Sequence, residues 1–216
     1  MRSLVLISVL LASSTALAAG DDISKVNKSI TADAGAEYGD LSTVNGSVTV
    51  SEGAVAESVE TVNGSVRLRD RASVESAETV NGSVTLGQDV AVADDVSTVN
   101  GAITVERGGR IGGKVETVNG RIKIEATEVG NGLSTVNGDV TVGADSYVRG
   151  GILIEKPKGN WFNSGKSRPP RVVIGPNATV DGVLDFRREV ELYVHTSAKV
   201  GTIKGATAKS FSGATP

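Results

Sequence analysis

Apolar residues in this chain recur as short alternating pairs separated by wider gaps. In residues 62–79 they fall at Val62, Val66, Leu68, Ala72, Val74 and Ala77, with Val80 opening the next unit. Val66-x-Leu68 and Ala72-x-Val74 alternate with a period of two, as half-buried strands do. The spacing then widens to three and four, where the chain must turn, and helical spacing is sustained nowhere. Each unit is therefore read as three short strands joined by corners. Other units agree. Leu41, Val59, Ala77, Val96, Val115 and Leu133 hold one apolar position, and Val48/Val50, Val84/Leu86, Ile103/Val105, Ile122/Ile124 and Val140/Val142 hold the next pair.

The polar punctuation is as regular. Thr-Val-Asn-Gly occurs at 43–46, 61–64, 79–82, 98–101, 117–120 and 135–138, so its asparagines are 18, 18, 19, 19 and 18 residues apart. A degenerate copy places Asn27 another 18 residues upstream. A fixed period of this length predicts a solenoid: an all-β, single-stranded parallel β-helix with about 18 residues per coil. Corners absorb the extra residue of the longer units as a bulge. Coils stacked about 4.8 Å apart make seven repeats roughly 30 Å long. The pattern breaks over 155–170, a basic stretch rich in Gly and Pro that reads as a loop insertion. Val172, Ile174, Ala178 and Val180 then match Leu192, Val194, Ala198 and Val200 at an offset of 20. That adds two coils, for about nine in a domain spanning 19–205, with 206–216 as a flexible tail.

The motif residues have expected roles. Asn-Gly suits a tight turn, because glycine accepts positive φ and asparagine tolerates it. Stacking would make Asn27, Asn45, Asn63, Asn81, Asn100, Asn119 and Asn137 a structural ladder of side-chain amides. Thr43, Thr61, Thr79, Thr98, Thr117 and Thr135 would form a parallel column. A threonine column invites comparison with ice-binding solenoids, but the other outward rank is Thr49, Arg67, Thr85, Thr104, Lys123 and Thr141, so charges interrupt it. The repeated Asn-Gly-Ser triplets match a glycosylation sequon as a by-product of the corner.

Composition narrows the function classes. Aromatics are 3% of the chain and the formal net charge is −3, which leaves no basic field to hold nucleic acid. Residues 1–18 read as a signal peptide, with Arg2 as the charged start, an apolar run from Leu4 to Ala12 and Ala16-Leu17-Ala18 as the cleavage site. The expected mature chain starts at Ala19, lacks a transmembrane segment and is periplasmic or secreted. There is no cysteine, hence neither a disulfide nor a lipidation site.

Candidate chemistry is sparse. The single histidine, His195, lies between Val194 and Thr196 and reads as an ordinary outward residue. A hexapeptide-repeat acyltransferase would need such a histidine, and a six-residue apolar period does run through Val44, Val50, Ala56, Val62, Leu68, Val74 and Val80. A zinc site of the usual His/Cys kind lacks ligands, and neither a nucleophile elbow nor a phosphate-binding loop is present. Pectate-lyase-like enzymes have longer coils and clustered charges, and Asp94-Asp95 and Arg187-Arg188 read as solvated corners instead. No catalytic residue, metal or cofactor is assigned. The candidate interaction loop carries Lys158, Trp161, Phe162, Lys166 and Arg168, adjacent aromatics among cations that suit a partner, a sugar ring or a lipid surface.

The stretch 174–184, Ile-Gly-Pro-Asn-Ala-Thr-Val-Asp-Gly-Val-Leu, resembles bactofilins, polymer-forming bacterial cytoskeletal proteins. The Val-Asn-Gly-Ser-Val units also resemble bacterial β-strand-repeat proteins described as adhesins. The first resemblance implies a short right-handed β-helix and end-to-end assembly. Bactofilins are typically cytoplasmic, whereas this chain carries an export-type leader, so the fold and the assembly are what transfer. The expectation is a non-enzymatic exported structural or adhesion-type protein whose partner is itself, through its end coils, or an envelope component. The alternative is a carbohydrate-binding or carbohydrate-active protein using a side face or the Trp161 loop.

Overall fold

The computed structural model describes residues 20–157 and 168–216. Among them there is no helix, and the strands stack in parallel as a β-solenoid. One sheet of ten strands runs Ile30–Ala32, Val48–Val50, Val66–Leu68, Val84–Leu86, Ile103–Val105, Ile122–Ile124, Val140–Val142, Arg171–Ile174, Glu191–His195 and Ala208–Phe211. A second, sixteen-stranded sheet covers the rest of the rod. Ten rungs about 4.8 Å apart make a stack of roughly 45 Å. The tenth rung comes from residues 206–216, read from sequence as a tail. There Ala208–Phe211 pairs with Glu191–His195, and the Arg171 guanidinium donates to the Pro216 carbonyl at 2.8 Å.

The alternating pairs face inward as expected. Val48, Val50, Val66, Val84, Leu86, Ile124, Val140 and Val142 are completely buried, and the buried positions form one continuous core. Each fully buried Leu or Ile contributes about 1.5–3 kcal/mol, so the coils are held chiefly by this packing. Strand register follows the repeat: Val59 lies beside Ala77, Thr61 beside Thr79 and Asn63 beside Asn81.

The three-strand unit holds only in part of the rod. In the first coils the third strand of one unit runs unbroken into the first strand of the next, giving Val55–Asn63 and Ser73–Asn81. From residue 91 onward it is split, as Ala91–Val92 and Val96–Asn100. The cause is one extra residue at this corner, present in the 19-residue units and also in the 18-residue unit 120–137, where Gly130 to Gly132 separate Val129 and Leu133. Two residues separate the inward Val74 and Ala77, whereas three, Ala93 to Asp95, separate Val92 and Val96, and the surplus bends the chain.

Apart from Gly132 and Gly205, positive φ belongs to a different corner from the one expected. Gly35, Gly53, Arg71, Asp89, Gly108, Ala126, Asp145 and Asn177 hold the left-handed conformation, all at the corner after the ten-stranded sheet. The glycines of the Thr-Val-Asn-Gly motif do not.

Strand Gly151–Ile154 ends just before the insertion, and the ten-stranded sheet resumes at Arg171. The leader at 1–18 and the loop residues Lys158, Trp161, Phe162 and Lys166 lie outside the described residues, and Arg168 lies within them.

Candidate functional site

Each motif residue has its own physical task at the first corner. The asparagines form the expected ladder. Asn45 Nδ2 donates to Asn27 Oδ1 at 2.8 Å, and Asn63, Asn81, Asn100, Asn119 and Asn137 each donate to the rung before at 2.9–3.0 Å. The glycines are required for space. A Cβ at Gly64, Gly82, Gly101, Gly120 or Gly138 would fall 1.7–1.9 Å from the carbonyl oxygen of the glycine one rung below. Their N–H groups carry the backbone stack: Gly46, Gly64, Gly82, Gly101 and Gly120 donate to the asparagine carbonyl of the next rung at 3.0–3.2 Å.

The threonine column differs from expectation. Thr43, Thr61, Thr79, Thr98, Thr117 and Thr135 are buried, so they offer no surface rank to ice or any other ligand. A buried hydroxyl needs an acceptor. Thr61, Thr79, Thr98 and Thr117 donate to the motif-glycine carbonyl of the preceding rung at 2.7–3.0 Å, and Thr43 donates to Lys28 in the same way. Thr135, the last, has no partner for its hydroxyl among the described residues. The valines between Thr and Asn point outward instead. Val26 and Val44 are exposed, and Val62, Val80, Val99, Val118 and Val136 continue the stripe half-buried. The six-residue apolar period therefore mixes two faces, since Val50, Ala56, Leu68 and Val74 are inside.

Beside the valine stripe runs a column of Ser42, Glu60, Glu78, Ser97, Glu116 and Ser134. Half-burial raises the carboxyl pKa of Glu60, Glu78 and Glu116 above the usual range. Neighbouring acids reinforce the shift: Asp40 at Glu60; Glu60, Asp95 and Asp94 at Glu78. At Glu116, Lys114 opposes it.

The ladder stops at Asn137, where the next rung replaces its corner by the insertion at 155–170. Arg188 closes the open end. Its Nη1 donates to Asn137 Oδ1 at 2.8 Å and to the Val136 carbonyl at 3.1 Å, across 51 and 52 residues of chain. Around this interruption lies a cleft of about 350 Å³ lined by Gly120, Arg121, Asn137, Gly138, Asp139, Arg168, Pro170 and Arg188. Asp139 binds the Arg168 guanidinium and accepts the Arg171 backbone N–H at 2.9 Å. Partial burial alone would raise the Asp139 carboxyl pKa. The hydrogen bonds from Arg168 and Arg171 and the charges of Arg168 and Arg121 outweigh it and hold the group below its ordinary value.

The remaining candidates are scattered. His195 points outward at the last rungs, where its Nδ1 accepts the Ser197 N–H at 3.1 Å and lies 2.8 Å from the Ser197 hydroxyl. Its ring meets the edge of Phe211, with centroids 5.0 Å apart. Asp95 takes the Lys114 N–H at 2.6 Å and Arg187 pairs with Glu155 at 3.0 Å, so these corner charges tie rungs together, while Arg187 also meets Asp185 of its own rung at 3.0 Å. Thr49, Arg67, Thr85, Thr104, Lys123 and Thr141 do form one rank, on the outer face of the ten-stranded sheet. Among the described residues no three His, Cys, Asp or Glu side chains cluster as metal ligands, and no helix is long and apolar enough to cross a membrane. The sequence reading missed the cleft and the Arg188 cap. The signal available was the break in the asparagine column after Asn137, with Lys156 and then Arg188 in its place.

Comparison with known proteins found no family model, no curated protein and no solved structure that matches this chain.

Proposed function

We propose that this protein is a non-enzymatic structural protein of the bacterial envelope, exported by its leader, that lengthens into rods by stacking end on end. One observation carries the reading: both ends of the rod present unpaired strand edges of opposite charge. Among the described residues, Asp21–Lys25 and Ile30–Ala32 are paired on one side only, as are Lys199–Val200, Ile203–Lys204 and Ala208–Phe211 at the other end. An open edge is a template for another strand. Residues 20–40 hold five carboxylates (Asp21, Asp22, Asp33, Glu37, Asp40) against Lys25 and Lys28. Residues 192–216 hold Lys199, Lys204 and Lys209 and no acidic side chain. Opposite ends attract and like ends repel, which favours head-to-tail joining. Such a heterologous contact does not close on itself, so it produces filaments. The outward His195, bonded within its own turn, fits a non-enzymatic role.

Light scattering with negative-stain microscopy over a concentration series tests this. Particle mass is expected to rise with concentration as filaments one rod wide. A monomeric rod at every concentration would overturn the reading. The carbohydrate-binding alternative is favoured by the cleft at the foot of the insertion. It requires loss of glycan retention in Trp161→Ala, and unchanged retention removes the loop from consideration.

A further inference from the structure

The interrupted corner above Asn137 differs chemically from every corner below it. In five successive corners a motif-glycine N–H is taken by a carbonyl of the next rung. At Gly138, among the described residues, no acceptor meets the N–H. Guanidinium groups line the same space. Arg121 and Arg188 form no ion pair among the described residues, and Arg188 uses only Nη1, on two neutral oxygens. Arg168 shares Asp139. The cleft therefore holds three cations against one carboxylate, with N–H donors to spare.

We propose that this cleft binds an oxyanion group, a carboxylate or a phosphate, carried on a ligand of about sugar size. Guanidinium forks match the oxygens of both anions, and bidentate pairing is stronger than a neutral hydrogen bond. Gly120 and Gly138 present bare backbone, so an oxygen can approach the Gly138 N–H as a carbonyl does in the corners below. A cleft of about 350 Å³ is near the lower limit for small-ligand sites and fits one monosaccharide unit. Pro170 supplies an apolar wall. The site is on the side of the rod, away from both end edges, so it is independent of whether rods stack.

The test is titration of the purified protein with glucuronate, glucose 6-phosphate and glucose, read by calorimetry and by the amide resonance of Gly138. At least one acidic sugar is expected to bind saturably and to move the Gly138 amide, with affinity falling as salt rises. Glucose is expected to do neither. Whichever acid binds more tightly identifies the anion. Arg121→Gln should weaken binding at least tenfold without changing the melting temperature, whereas Arg67→Gln, in the same ten-stranded sheet but three rungs from the strand that follows Arg121, should leave binding intact. No saturable shift at Gly138, equal binding of glucose, or unchanged affinity in Arg121→Gln would overturn the proposal. A monomeric protein that passes this test would refute stacking and leave the site standing.

Discussion

Asn81 sits in the middle of the amide ladder, donating to Asn63 and accepting from Asn100. Replacing it with alanine removes both bonds at an exposed position. The expected cost is about 1–3 kcal/mol in urea denaturation, two bonds at about 0.5–1.5 kcal/mol each. Asn81→Asp is a sharper probe of ladder direction. The carboxylate still accepts from Asn100 but faces the Asn63 oxygen with no proton to donate, so the variant should be less stable than Asn81→Ala at neutral pH and recover in acid. The glycines separate two reasons for the same residue. Gly101→Ala sets a methyl 1.8 Å from the Gly82 oxygen, with only backbone to move, and should destabilise by several kcal/mol. Gly53→Ala has φ +66° but nothing within 4 Å, so only the left-handed penalty of about 1–2 kcal/mol applies. Comparison of the two melting temperatures checks the distinction. The clearance role is invisible in a bare Asn-Gly pair, because the crowding comes from a rung 19 residues away.

At the scale of the strand, faces decide chemistry. Alternation predicted which residues of Val66–Leu68 or Ile122–Ile124 point inward, and the core agrees. It was ambiguous next to the corner, where Thr61 and Val62 exchange their expected places: the polar residue is inside and the apolar one outside. Thr61 is tolerated inside because its hydroxyl reaches the Gly46 carbonyl at 2.7 Å. The outward glutamates of the same face yield a pH prediction. The folded pKa of Glu78 is raised, so its protonated form is favoured in the folded state. Its contribution is therefore greatest below the unfolded carboxyl value, about 4.3, and is lost as pH rises through the raised folded value. Glu78→Gln should melt higher than the parent at pH 7, and the gap should close near pH 4. A gap that widens in acid would contradict the assigned cause.

The whole rod is a stack whose two ends differ. Axial attraction between an acidic and a basic end is screened over about 8–10 Å at physiological salt. Filament length should therefore fall as salt is added. Lys209→Glu should reduce assembly, and mixing that variant with Asp22→Lys, whose ends carry the exchanged charges, should restore it in part. Sedimentation of each protein alone and of the mixture measures this. Assembly that strengthens with salt would point instead to the valine stripe as the joining surface.

The sequence by itself determined the solenoid, the coil length, the inward pairs and the asparagine column. All of these are periodic, and a period survives without knowledge of what packs on what. Only the tertiary structure decided that Thr43 and its equivalents are buried, that the motif glycines serve clearance, that residues 208–211 complete a tenth rung, and that Arg188 closes the ladder 51 residues beyond its last asparagine. These depend on contacts between coils and on the one place where the period fails, and a repeat cannot encode its own interruption.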